Sequence, residues 1–163
     1  MTITCIPKSL CSWDFQVSGI STGLATLTFD FFSEQGSVFI GGTEYSVRKH
    51  GLFSGHWSLE RGGEIFVDAK KPSAMFRSFE LRAGDIQLTL KAHSAFTRSY
   101  DIVTDGAVAG TIKPAHAFTR RAFIECNEPV PEIAQLFAFW LVVLTWRQAA
   151  RNNNASPGMN ASV

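Results

Sequence analysis

The stretch PEIAQLFAFWLVVLTWRQAA, residues 131–150, decides the architecture of this chain. Across residues 133–146 only Gln135 and Thr145 are polar, so a helix formed here has no wet face and must be surrounded by apolar material. Pro131 suits a first helical position and Glu132 the positive end of the helix dipole, while Arg147 and Arg151 suit the opposite end. Fourteen such residues rise about 21 Å, short of the roughly 30 Å of a bilayer's hydrocarbon core. The stretch is therefore expected to be nearly buried inside the protein from 133 to 146, with Arg147 near an opening.

What surrounds it is legible upstream. From Trp13 to about Ile124 apolar residues alternate with polar ones in short runs, as in Trp13, Phe15 and Val17, or Leu27, Phe29 and Phe31. Turn signals separate the runs: Gly41-Gly42, Gly62-Gly63, Ala83-Gly84-Asp85 and Asp105-Gly106. Ten to twelve strands are expected. A β meander with apolar inward residues, followed by one helix apolar on every side, is satisfied when the sheet closes around the helix. The expected fold is mainly β: a closed antiparallel barrel of about twelve strands around a central C-terminal helix. One domain over residues 1–151 and a disordered polar tail over 152–163 complete the expectation.

Two internal echoes accompany this pattern. Tyr45, Gly51 and Gly55 match Tyr100, Gly106 and Gly110 in spacing, suggesting a duplicated meander, and AFTR occurs at residues 95–98 and 117–120.

Composition narrows the function classes. Fifteen Lys and Arg stand against fourteen Asp and Glu, a balance that excludes a nucleic-acid binder driven by bulk charge. Cys5, Cys11 and Cys126 are three in number and lack CxxC spacing, which fits neither a disulfide framework nor a zinc ribbon and points to reduced thiols in the cytoplasm. His50, His56, His93 and His116 show no HxH or HExxH spacing, and Ser54 lacks the flanking glycine of a nucleophile elbow. No catalytic residue, metal site or cofactor is expected.

The features YSVRKHGLFSGHWSL, GGEIFVDAKKP, FELRAGDIQLTL, YDIVTDGAVAG and PEIAQLFAFWLVVLTWR together resemble the tubby C-terminal-like superfamily of tubby proteins, phospholipid scramblases and LURP-one-related proteins. The resemblance spans about residues 38–151 and implies the same helix-filled barrel and a lipid-facing role, since tubby domains bind phosphoinositide headgroups through basic side chains. The cysteine-rich segment expected of scramblases and an acidic calcium loop are both absent from the sequence.

Three basic clusters are the candidate headgroup ligands: Arg48 with Lys49, Lys70 with Lys71, and Arg120 with Arg121. Arginine grips phosphate bidentately and lysine adds a mobile charge. The expected function is a non-enzymatic cytoplasmic domain, peripheral to membrane, whose partner is anionic phospholipid. The alternatives are a protein-interaction or structural domain of the same fold, and a tail-anchored protein whose terminal helix inserts.

Overall fold

The computed structural model describes residues 1–127 and 129–155. Twelve strands precede one helix: β1 (Thr2–Pro7), β2 (Phe15–Ile20), β3 (Gly23–Phe29), β4 (Gly36–Ile40), β5 (Thr43–Lys49), β6 (His56–Arg61), β7 (Glu64–Lys70), β8 (Ser78–Ala83), β9 (Ile86–Ala92), β10 (Tyr100–Thr104), β11 (Ala107–Pro114), β12 (Ala122–Cys126) and α1 (Glu132–Ala155). Each strand pairs antiparallel with its sequence neighbours, and β1 closes on β12 with Thr2 opposite Glu125, so the sheet is a closed up-and-down barrel. Closure leaves no edge strand.

Alternation along the strands fills the interior. Ile3 and Cys5, Phe15 and Val17, Leu88 and Leu90, and Tyr100 and Ile102 point inward and are buried, while the residues between them face out. α1 occupies the axis. Every residue from 134 to 144 is buried, as are Trp146 and Arg147, whereas Ile133 and Thr145 are partly so. Trp140 stacks on Phe29 with centroids 4.6 Å apart and donates its Nε1–H to the Thr28 carbonyl at 3.0 Å. Phe139 meets Phe15 edge-on at 5.0 Å, and Thr145 and the Tyr100 hydroxyl lie 3.0 Å apart.

The expected length of the helix is corrected. α1 has 24 residues, about 36 Å of rise, and by length and composition it is able to cross a bilayer, so shortness is not what distinguishes it. Enclosure is: 72% of its most apolar 18-residue window is buried within the barrel. Residues 152–155, expected in the tail, form the exposed last turn of α1; 156–163, the rest of that expected tail, lie outside the described residues.

The two rims differ. Connections from even to odd strands are two-residue turns, among them Gly41-Gly42 at φ +58° and +77° and Asp105-Gly106 at +49° and +78°, the left-handed pair of a type I′ hairpin. Connections from odd to even strands span six or seven residues each: 8–14, 30–35, 50–55, 71–77, 93–99 and 115–121. α1 enters at the short-turn rim, where Glu132 accepts hydrogen bonds from the Ser21 amide (2.7 Å) and hydroxyl (2.6 Å). It leaves at the long-loop rim, where Arg147 donates to the carbonyls of Asp30 (2.8 Å) and Ser33 (2.5 Å).

The echo of Tyr45, Gly51 and Gly55 in Tyr100, Gly106 and Gly110 is not a structural repeat. Gly51 lies in a long loop and Gly106 in a tight turn, at opposite ends of the barrel. The AFTR echo is structural: both copies form long loops of the same rim.

Candidate functional site: the long-loop rim

The three basic clusters lie toward one end of the barrel but do not form a single pocket. Strands β5 and β7 flank β6, so Arg48, Lys49, Lys70 and Lys71 are neighbours, whereas Arg120 and Arg121 sit between β11 and β12, across the diameter. Several are already engaged. Arg48 pairs with Glu60 at 3.6 Å, and Lys49 pairs with Glu34 above the Trp57 ring. Lys71 lies 5.9 Å from the centre of the Phe79 ring. Lys70 and Arg121 are exposed.

Arg120 and two arginines that the basic pairs do not mark organise this rim. Arg77 donates to the Ala95 and Thr97 carbonyls of the next long loop, both at 3.2 Å; Arg98 donates to Ala117 (3.4 Å) and Thr119 (2.7 Å) of the loop after it. Arg120 continues the series by donating to the carbonyls of Ser9, Leu10 and Ser12. Each guanidinium also lies over an aromatic ring, Tyr100, Trp146 and Trp13 respectively. Three successive loops are thus tied to their neighbours by one device, and AMFR at residues 74–77 is the third copy of the AFTR signal.

The electrostatics follow from these partners. Among the described residues Arg77, Arg98 and Arg120 have no carboxylate within ion-pair distance, so carbonyl dipoles hold them and their charges are not neutralised. The six long loops hold six lysines and arginines against three carboxylates, and α1 adds Arg147 and Arg151 at the same end. Burial, and then the nearby charge of Arg120, lower the Arg98 pKa; burial and Arg151 lower that of Arg147 against the opposing pull of Glu34 and Asp30. Beside this belt, Trp13, Arg77, Phe96, Arg98 and Trp146 line a recess of about 500 Å³ against the last turns of α1.

Apolar side chains crown the rim. Every long loop carries at least one at its tip: Leu10, Phe31 with Phe32, Leu52 with Phe53, Met75 with Phe76, Phe96, and Phe118. Phe53, Phe96 and Phe118 are 101%, 98% and 99% exposed, the values of side chains that touch almost nothing.

A separate polar cluster occupies the outer wall of β5–β7. His50 Nε2 lies 2.6 Å from Ser58 Oγ, which donates to Glu60 at 2.6 Å, while the stacked His56 ring meets Asp68 at 2.5 Å. The Ser58 hydroxyl is fully buried and gives its proton to Glu60, and Asp68 orients the other histidine, so this is not a serine–histidine–acid relay. No group of three His, Cys, Asp or Glu among the described residues is arranged to hold a metal ion. Comparisons of the chain with family models, with curated proteins and with solved structures find no match.

Proposed function

We propose that this barrel is a non-enzymatic domain that binds anionic phospholipid headgroups at a membrane surface, using its long-loop rim. The observation that carries the reading is the belt of arginines that have no carboxylate partner among the described residues, around an aromatic-lined recess. A guanidinium held by carbonyls is positioned without being discharged, and it keeps N–H groups for a phosphate. Arg98 uses only Nη1 on its carbonyl partners. The resemblance to tubby-like proteins points the same way. Of the basic pairs, exposed Lys70 and Arg121 extend the belt outward. The free thiols Cys5, Cys11 and Cys126 fit a reducing compartment, and the cytoplasmic leaflet is the one that carries acidic lipid.

Vesicle co-sedimentation tests this. Binding is expected to phosphatidylserine- or phosphoinositide-containing vesicles and to weaken between about 0.01 M and about 1 M salt, as the screening length falls from roughly 30 to 3 Å. Equal binding to purely zwitterionic and anionic vesicles at low salt would overturn the headgroup reading.

A further inference from the structure

We propose that the apolar loop tips insert into the lipid–water interface, so that the barrel stands end-on on a bilayer with its short-turn rim facing away. The inference shares the membrane reading above but rests on apolar contact and not on headgroup charge.

The molecule contains its own comparison. The same twelve strands are joined at both ends, yet the five two-residue turns carry no large apolar residue, whereas all six long loops do. Leu24, Ile65 and Val108 are also exposed near the short-turn rim, but they lie on the strand walls beside the turns and are only 52–59% exposed, whereas the long-loop residues stand at the tips. Nor do these residues support the fold, because side chains as exposed as Phe53, Phe96 and Phe118 bury nothing against the barrel. Four of the six loops, 93–99, 115–121, 8–14 and 30–35, are nonetheless fixed from behind by Arg77, Arg98, Arg120 and Arg147 respectively, which cuts the ordering cost of insertion.

The arrangement selects a bilayer over other occupants. Tips spread around a barrel's circumference form a ring and not one concave groove. A second copy meeting this rim with its own would bring cations against cations, whereas anionic headgroups complement the arginines just below the tips. Aromatic and aliphatic tips above a cationic belt match the layering of the interface, where aromatics sit at headgroup depth and long cationic side chains reach outward. Arg151 and Asn152–Asn154, exposed at the same rim, limit the depth to the headgroup–acyl boundary, about 5–10 Å.

The native Cys11, exposed beside Leu10 at this rim, accepts an environment-sensitive fluorophore. With phosphatidylcholine vesicles at about 1 M salt, where headgroup attraction is screened, its emission is expected to shift to the blue. The same fluorophore moved to the opposite rim, by combining Cys11→Ser with Asp85→Cys, is expected not to shift. Replacing Phe53, Phe96 and Phe118 together by serine should lower partitioning to these vesicles at least a hundredfold, with the unfolding transition unchanged because the tips are solvated. Parent-like partitioning of the triple variant, an unshifted Cys11 probe, or a doubled solution mass that the triple variant abolishes would each overturn insertion. The two readings separate cleanly. A parent protein indifferent to acidic lipid but sensitive to the tips defeats the headgroup reading alone; one that needs acidic lipid and ignores the tips defeats insertion alone.

Discussion

Replacing Trp140 by alanine is the most direct test of the helix as the barrel's core. Trp140 is wholly buried, stacks on Phe29 with an interplanar angle of 8°, and donates to the Thr28 carbonyl. Truncating a buried Trp costs about 3–5 kcal/mol, and leaving that carbonyl unpaired adds about 1. A domain of this size has roughly 5–15 kcal/mol in total, so Trp140→Ala removes about a quarter of it or more. With a urea slope of about 2 kcal/mol per molar, the unfolding midpoint falls by ~2–3 M. Trp140→Phe keeps most of the ring and loses the hydrogen bond, for about 1–2 kcal/mol and a shift below ~1 M. Phe39→Ala, on the half-exposed outer wall, shifts it still less. A midpoint for Trp140→Ala within ~0.5 M of the parent, at unchanged slope, would refute the claim that α1 fills the barrel.

Other expectations follow from the same geometry. A chain ending at Asn127 keeps all twelve strands but loses their filling, and should show no cooperative transition on heating and should bind a hydrophobic dye. Arg120→Ala unties the 8–14 loop and should cost about 1–2 kcal/mol while accelerating amide exchange in that loop; exchange unchanged there would remove the clamp from the account. Burial pushes the Cys126 thiol up to about 11 from an ordinary 9.0 and raises Cys5 further still. The folded state thus holds protons that the unfolded chain releases, so stability present below about pH 9 should fall as the pH climbs through 11. Cys126→Ser should make that decline shallower, Cys5 keeping its own share, and at pH 8 Ellman's reagent should modify the exposed Cys11 first, the partly buried Cys126 more slowly and the buried Cys5 only on unfolding.

The fold was legible because its two determinants are both local patterns. Alternation marked the strands, and Gly-Gly or Asp-Gly marked three of the five short turns, since glycine and, less readily, Asp or Asn take the left-handed pair. The helix announced itself by the absence of any wet face. The long-loop rim was harder to read. Phe31 continues the alternation of Leu27 and Phe29 on paper, yet β3 ends at Phe29 and Phe31 is 77% exposed. An apolar residue reads as core whether it faces a helix or solvent, and only the closing of the strand decides which. The same limit applied to the cations: adjacent pairs such as Lys70-Lys71 stand out in a sequence, while Arg77 and Arg98 acquire meaning from carbonyls contributed by the following loop. The AFTR repeat was the available signal, and its variant AMFR falls below what spacing alone reveals. Helix length was misjudged because Arg147 looked like an end, whereas the loop carbonyls of Asp30 and Ser33 let it lie buried and α1 continue.

The pairing of β1 with β12 also has a biosynthetic consequence. Thr2 must wait for Glu125 before the wall can close, and α1 is made later still. At about 5–20 residues per second, a nascent chain holds its strands for roughly 6–25 s before the helix begins to emerge. During that interval the inner faces have nothing to pack on, and the growing sheet presents unpaired edges. Contacts of such sequence separation also form slowly. Maturation is therefore a late, single event timed by the arrival of the helix, and any chain interrupted before it remains an open, sticky sheet for chaperones or proteases to sort.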